Sequence, residues 1–231
     1  MLIAVAASLA PTLRELAAAF EELDPTVRVA VTSGASGSLL QQLAAGAPID
    51  VLVSADEATM QRARAQSLLR EDSQRVLVTN ALVVVQPARG ASAPIASLAD
   101  LAGPGIKRIA LGAPASVPAG AYARGALEAA GLWQAVLPRA VYAQNVRQVL
   151  DFVARGEADA GFVYATDVPM GGAATAAVRT AIAAVPTTPP IRCPVAISAA
   201  SAQPLLAERF VASLFQPAAR ALFSRHGFGR P

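Results

Sequence analysis

The chain has 231 residues, of which 54% are hydrophobic and 15% are charged, and its formal net charge is +3. This composition allows a sizeable buried core and excludes a disordered chain. No apolar run reaches the roughly 18 residues that a membrane-spanning helix needs. The cationic residues are scattered rather than grouped into a basic block, so no nucleic-acid partner is expected. The single cysteine, Cys193, excludes an internal disulfide.

The first third of the sequence alternates between strand-like and helix-like segments. Short apolar or alternating runs predict strands, and apolar residues at helical spacing predict helices. In chain order the pattern predicts a strand at 2–7, a helix at 11–23, a strand at 26–33, a helix at 37–46, a strand at 49–55 and a helix at 56–67. Such alternation is typical of a parallel sheet that is covered by helices on both faces.

Two long extended runs, 74–87 and 183–201, interrupt this alternation. Each is too long for one strand of a small sheet, so we expect the chain to cross between two lobes at both places. Alternating segments lie between and after these runs: helices at 97–103, 119–131, 145–156 and 172–180, strands at 108–113 and 160–167, a strand or loop at 140–144, and helical segments at 204–228.

These elements predict an α/β fold of two doubly wound lobes joined by two crossing strands, with the ligand in the cleft. Residues 1–80 plus 196–231 are predicted to form lobe 1, and residues 81–195 are predicted to form lobe 2. In doubly wound sheets, ligands bind outside the carboxyl ends of the strands. The residues that follow the predicted strands are therefore the candidates for a binding site.

Five places that follow predicted strands share one chemistry: they offer hydroxyl groups or backbone N–H groups where a helix begins, and none of the residues there is Lys, Arg or His. They are residues 7–8, 34–38, 118–120 and 145–146, and Tyr164. A helix N-terminus has unpaired N–H groups and a partial positive charge, so several together bind an anion without a formal cation. A site that is rich in donors and poor in acceptors suits a small, fully deprotonated oxyanion.

Each of these residues also has a purely structural interpretation. Ser8 and Ser36 could each be the N-cap of a helix, which is the usual role of a serine at that position. The segment "VPAG" could be only a helix start with proline in the first turn, and Tyr164 could be a core tyrosine. The sequence pattern alone leaves both interpretations open.

Several longer motifs occur in order along the whole chain: "AASL", "GASGSLLQQLAAGAPIDVLVSAD", "NALVVVQP", "GAPASVPAGAYARGALEAAGLW", "QNVRQVLDFVARGEADAGFVYATD" and "FSRHGFG". In these motifs the chain resembles the periplasmic molybdate-binding proteins of ABC transporters, a type II periplasmic-binding-protein family. The resemblance implies that Ser8 and Ser36 bind the oxyanion from the first lobe. It implies that Ala119 and Val146 bind through backbone N–H groups and Tyr164 through its phenol.

Three other positions of these motifs bear on the predicted site. The segment "ASGS" leaves open whether Ser36 or Ser38 is the ligand. We interpret Asp56 of "VSAD" as a helix cap, and Asp167 of "YATD" either as a residue that supports the ligand-binding residues from behind or as a structural residue.

The resemblance implies a receptor that captures molybdate, and tungstate as well, and delivers it to a membrane permease. Molybdenum would be held only through the oxygens of its oxyanion, no cofactor is expected, and the protein is expected to be a periplasmic monomer whose native leader this sequence lacks. The alternative is a receptor for another tetrahedral oxyanion, such as sulfate or phosphate. Monohydrogen phosphate would need an acceptor for its proton, whereas the five positions offer donors.

Other classes of function find less support in the residues. The sensing domain of a transcription regulator would need a helix-turn-helix, and no residues before Leu2 supply one. An enzyme with Ser8 or Ser36 as nucleophile would need a base, and the sole histidine, His226, lies in the C-terminal segment. No His/Cys/acid cluster has metal-ligand spacing, and "GASGS" lacks the lysine of a nucleotide loop. We therefore expect no enzymatic activity.

Overall fold

The computed structural model describes residues 1–89, 94–168 and 176–231. Contacts divide the chain into two compact units, one formed by Met1–Asn80 and Arg192–Pro231 and the other by Ala81–Ile191. The return to the first unit lies four residues before the predicted boundary at 195/196. The reason is that Arg192–Ile197 form a strand of the first unit's sheet.

Strands and helices alternate along most of the chain. The strands are β1 (Leu2–Ala6), β2 (Ala30–Gly34), β3 (Val51–Val53), β4 (Arg75–Thr79), β5 (Leu82–Pro87), β6 (Ile109–Gly112), β7 (Ala140–Ala143), β8 (Ala160–Tyr164), β9 (Val178–Val185) and β10 (Arg192–Ile197). The α-helices are α1 (Ala10–Leu23), α2 (Ser36–Ala44), α3 (Glu57–Ala65), α4 (Pro118–Ala129), α5 (Trp133–Val136), α6 (Val146–Ala154), α7 (Pro204–Ser213) and α8 (Pro217–Arg225). Short 3-10 turns occur at Leu98–Ala102, Leu137–Arg139 and Ala165–Asp167.

Each unit contains one five-stranded mixed sheet. The order is β2-β1-β3-β10-β4 in the first unit and β7-β6-β8-β5-β9 in the second. β1 is parallel to β2 and β3, and β6 is parallel to β7 and β8. β10 and β5 pair antiparallel with both of their neighbours. The predicted α/β class is confirmed. Each sheet is mixed because β5 and β10, the strands that follow the two crossings, run antiparallel to both of their neighbours.

The two long extended runs each divide into strands of different sheets. The run 74–87 becomes β4 and β5, and the run 183–201 contains the end of β9 and the whole of β10. The helix that was predicted at 172–180 is wrong at its end, because Val178–Thr180 begin β9 and pair with β5. Residues 172–175 of that prediction lie outside the described residues.

Apolar helix faces and fully buried central strands form the cores around the sheets. In α6, Val146, Val149, Leu150 and Val153 are buried, and this i, i+3, i+4, i+7 stripe packs the helix onto its sheet. β3 and β8 are buried at every position, as expected of central strands in a sheet that is covered on both faces. Among the described residues, no helix is long and apolar enough to cross a membrane.

The start of α4 sits directly on the end of β6, and two glycines allow this approach. A Cβ on Gly120 would overlap the carbonyl oxygen of Gly112, and a Cβ on Gly112 would overlap the side chain of Val117. Gly125, further along the same helix, has open space around the position of a Cβ. The contact between Gly112 and Gly120 therefore fixes where the first turn of α4 lies.

We expect Gly120→Ala to destabilise the protein, because the new methyl group must displace the backbone of β6 or α4. Gly125→Ala is the matched control, and it should stabilise the helix by up to about 1 kcal/mol, because alanine is the better helix former. Urea unfolding of both variants measures the difference. Equal midpoints for the two variants would contradict the close approach.

Candidate functional site

Ser8 and Ser36 lie at the same edge of the sheet in the first unit. β1 and β2 are adjacent and parallel, so their carboxyl ends meet there. Ser8 follows β1 by two residues, Ser36 follows β2 by two residues, and the amide of Ala7 donates a 2.9 Å hydrogen bond to the carbonyl of Gly34. The two serines therefore begin neighbouring strand-to-helix connections.

The hydroxyl of Ser8 has an unusual environment. Ser8 is 1% exposed, and among the described residues its Oγ has no hydrogen-bond partner. The N-cap position of α1 is Leu9, and no side chain caps this helix. The interpretation of Ser8 as a helix cap is therefore wrong, and a buried hydroxyl is left without a structural role.

Ser36 is fully buried and is the first residue of α2. Its Oγ accepts a 3.1 Å hydrogen bond from the amide of Ala55, and the N-cap position belongs to Ala35, which provides no side-chain cap. Ser36 is therefore not a cap either. Because its oxygen already accepts a hydrogen bond, its hydroxyl proton is left to donate elsewhere. Ser38, the alternative candidate, is partly exposed.

The loop between β3 and α3 holds Ala55 against Ser36. Ser54 Oγ lies 2.9 Å from Asp56 Oδ1 and donates to it, and Asp56 Oδ2 accepts from the amide of Thr59 at 3.2 Å. Asp56 is the N-cap of α3, as predicted. The contact of Ala55 with Ser36 was not foreseen, because nothing in the sequence pairs a backbone amide with a side chain 19 residues away.

In the second unit, Ala119, Val146 and Tyr164 follow the carboxyl ends of the parallel strands β6, β7 and β8. Ala119 is the second residue of α4, Val146 is the first residue of α6, and Tyr164 ends β8. N–H groups in the first turn of a helix have no intrahelical acceptor. All three residues are at least 97% buried. The parallel pairing thus places the starts of α4 and α6 and the end of β8 at the same edge of this sheet.

One feature of this edge departs from the expectation that it carries no cation. Arg147 directly follows Val146, and its Nε lies 3.4 Å from Asp167 Oδ1. Asp167 is fully buried, and its Oδ2 accepts a 3.0 Å hydrogen bond from the amide of Tyr164. Asp167 is therefore the counter-charge of the arginine, and the pair is neutral when both groups are ionised.

Burial raises the pKa of Asp167 to about 6, from an ordinary value of 3.8. Removal from water disfavours the charged carboxylate, and the attraction of Arg147 and the hydrogen bond from Tyr164 oppose this effect only in part. Close to neutral pH the carboxylate is largely ionised.

Comparison with known proteins identifies the family to which the chain belongs. The model of the bacterial extracellular solute-binding proteins matches residues 1–229. The chain belongs to this family. The resemblance expected from the sequence motifs is confirmed by relatives whose names state that they bind molybdate.

One of these relatives is the molybdate-binding protein of Mycobacterium tuberculosis, which is 32% identical over 98% of this chain and 83% of its own length. Another is the molybdate-binding protein of Haemophilus influenzae, which is 35% identical over 70% of this chain. The match covers only 65% of the Haemophilus protein. The structure of the periplasmic molybdate-binding protein of Azotobacter vinelandii superposes with a TM-score of 0.83 at 26% identity, and covers 100% of this chain and 99% of that one.

The described part of this solute-binding protein contains no group of three or more His, Cys, Asp or Glu side chains that could hold a metal ion. A cavity of about 530 Å³ in the first unit is lined by Arg75, Phe215 and the C-terminal residues 228–231, and none of the five candidate residues lines it.

The raised pKa of Asp167 predicts a pH dependence of stability. Between pH 4 and 6 the unfolded chain releases this proton while the folded chain retains it, so the contribution of Asp167 to stability falls as the pH rises. The loss is at most about 3 kcal/mol. We expect the stability advantage of the native protein over Asp167→Asn to shrink across this range, as measured by urea unfolding at each pH.

The control for this experiment is Asp100→Asn. Hydrogen bonds from the amides of Ala96 and Ser97 lower the pKa of Asp100, so the stabilisation by its carboxylate is lost on acidification instead. A difference between native protein and Asp167→Asn that grows from pH 4 to 6 would show that Asp167 is ionised in the folded state throughout.

Proposed function

We propose that this chain is the substrate-binding receptor of an ABC transporter, that it captures molybdate or tungstate, and that it delivers the anion to a membrane permease. Ser8 and Ser36 of the first unit and Ala119, Val146 and Tyr164 of the second unit would bind one oxyanion together. The support is twofold: the family consists of solute-binding proteins, and several relatives carry molybdate binding in their names.

The buried hydroxyl of Ser8 carries this proposal. A buried polar group without a hydrogen bond destabilises a folded protein by about 1–3 kcal/mol, and alanine would avoid this loss. Ser8 retains its hydroxyl at 1% exposure with no partner in the described parts of the chain. A ligand oxygen at this position would accept its hydrogen bond.

The donor set explains why a fully deprotonated dianion fits. Ser36 is left with a proton to donate because Ala55 already occupies its oxygen. Ala119 and Val146 contribute N–H groups, which cannot accept. Molybdate, tungstate and sulfate bring only acceptor oxygens, whereas monohydrogen phosphate brings a proton that the N–H groups of Ala119 and Val146 cannot accept. Sulfate is smaller than molybdate, so donors fixed for the larger anion would be too far from its oxygens.

No residue of the set is arranged for catalysis. The sole histidine, His226, has its Nδ1 2.6 Å from Thr12 Oγ1 and its Nε2 3.2 Å from Glu15, so it already has partners that do not include Ser8 or Ser36. We propose that the protein is a receptor without enzymatic activity or a resident cofactor. We also propose that it acts as a monomer in the periplasm.

We propose that the anion enters and leaves by a movement of the two units about the segments that connect them. The chain passes between its units at Asn80–Ala81 and Ile191–Arg192. We propose that these two connections act as the hinge.

Isothermal titration calorimetry with four anions tests the function. We expect molybdate and tungstate to bind with similar affinity, because their sizes are nearly equal. Sulfate and phosphate should bind at least about 10-fold more weakly, since each unpaired donor or trapped proton costs about 1–3 kcal/mol. Sulfate affinity equal to that of molybdate would refute the molybdate assignment in favour of a general oxyanion receptor.

Substitutions of four of the five residues test the donor set. Ser8→Ala and Ser36→Ala each remove a hydrogen bond to a dianion, so molybdate affinity should fall about 10- to 100-fold. Val146→Ala should change it little because the N–H remains, whereas Ala119→Pro should abolish binding because the donor is deleted.

Two serines serve as controls for these substitutions. Ser33→Ala removes an exposed hydroxyl on β2 that accepts from Arg14, and it should leave molybdate affinity unchanged. Ser38→Ala separates the two candidate serines of α2. If Ser38→Ala weakens binding and Ser36→Ala does not, then the ligand residue is Ser38.

A further inference from the structure

Arg147 and Asp167 connect two elements that carry candidate ligand residues. Arg147 lies in the first turn of α6, and Asp167 ends the 3-10 turn that follows β8. The guanidinium of Arg147 contacts both the side chain and the main chain of Asp167. Its Nε lies 3.4 Å from Oδ1, and its Nη1 lies 3.4 Å from the main-chain oxygen. The other carboxylate oxygen accepts from the amide of Tyr164 at 3.0 Å. We call these contacts the Arg147–Asp167 brace.

The Arg147–Asp167 brace removes charged groups from water, which opposes folding. Asp167 is fully buried, and the side chain of Arg147 is 23% exposed. Within the described residues, Arg147 Nη2 and Asp167 Oδ1 are both buried without a hydrogen-bond partner. Buried ion pairs of this quality often stabilise a protein no better than apolar residues of similar size. Its presence is better explained by the geometry that it imposes than by stability.

That geometry involves two of the three candidate ligands of the second unit. Val146 is bonded directly to Arg147, so its N–H moves with the first turn of α6. The amide of Tyr164 donates a hydrogen bond to the carboxylate of Asp167, so the end of β8 moves with that carboxylate. A shift at either end of the brace changes the distance between the N–H of Val146 and the side chain of Tyr164.

We propose that Arg147 and Asp167 are positioning residues that fix the spacing between Val146 and Tyr164 and thereby set the size of oxyanion that the protein accepts. This inference rests on the proposed oxyanion function. A rigid pair of donors rejects a smaller anion because its oxygens cannot reach both donors at once. A weakened brace lets the donors follow the smaller anion, so discrimination between molybdate and sulfate falls.

The test measures the dissociation constants of molybdate and sulfate well below the melting temperature. The variants are Asp167→Asn, Arg147→Gln and Arg147→Lys, and the control is Arg124→Gln, which breaks the exposed Arg124–Glu128 pair of the same unit. In Asp167→Asn and Arg147→Gln we expect the ratio of sulfate to molybdate dissociation constants to fall about 10-fold. This is the lower end of the effect on affinity seen when a residue that orients a metal-binding side chain is removed. Arg147→Lys should restore part of the ratio, and Arg124→Gln should leave it unchanged.

Two results would overturn the proposal. If the variants melt at lower temperature but keep the native ratio, the brace serves stability only. If Asp167→Asn strengthens the binding of both anions by the same factor, the carboxylate acts through its charge and not through position.

A second measurement separates this inference from the proposed function. Amide NMR spectra of the ligand-free protein should show the resonance of Val146 displaced in Asp167→Asn and undisplaced in Arg124→Gln. An unmoved Val146 resonance in Asp167→Asn contradicts the brace whatever the protein binds. Native protein that binds none of the four anions refutes the proposed function, and the size selection with it.

Discussion

The parallel pairing of strands at the carboxyl edge of each sheet is the constraint on which the candidate site depends. β1 lies beside β2, and β6 lies between β7 and β8, in both cases parallel. Parallel neighbours must end at the same edge, so the helices that follow them begin at the same edge. Each helix start supplies unpaired N–H groups. The result is a concentration of donors that requires no cationic side chain to be buried with the ligand.

The close packing at this edge explains the choice of small residues. Gly112 and Gly120 allow the first turn of α4 to approach β6, which places the N–H of Ala119 at the end of the strand. In the first unit, the hydroxyl oxygen of Ser36 accepts a hydrogen bond from the amide of Ala55. The loop between β3 and α3 therefore orients the hydroxyl of Ser36. In the second unit, the pair of Arg147 and Asp167 connects the start of α6 to the turn that follows β8.

Local pattern predicts much of this fold because the elements are short and regular. The apolar run 2–7, the helical spacing of 11–23 and the two long extended runs each indicated an element or a crossing between lobes. The five places that hold the candidate residues follow from one rule, that ligands lie beyond the carboxyl ends of strands. The choice of Ala119 and Val146 within those places came from the resemblance of their motifs to the family.

The contacts between distant side chains could not be predicted from the sequence. The distance between Arg147 and Asp167, and that between Ser36 and Ala55, depend on how helices and loops pack on the sheets. The direction of β5 and β10 was also missed, since an antiparallel and a parallel strand share the same apolar pattern. The environment of Ser8 could not be predicted either: a serine before a helix is usually its cap, but here Leu9 holds the N-cap position and the hydroxyl of Ser8 is buried without a partner among the described residues.

The most direct test of the central claim is a crystal structure of the protein with molybdate, in which anomalous scattering locates the molybdenum atom. The account predicts that the oxygens of one molybdate ion accept hydrogen bonds of about 2.7–3.2 Å from Ser8, Ser36 and Tyr164 side chains and from the amides of Ala119 and Val146. A molybdate ion held by residues of only one unit, or bound away from the carboxyl edges of the sheets, would contradict it.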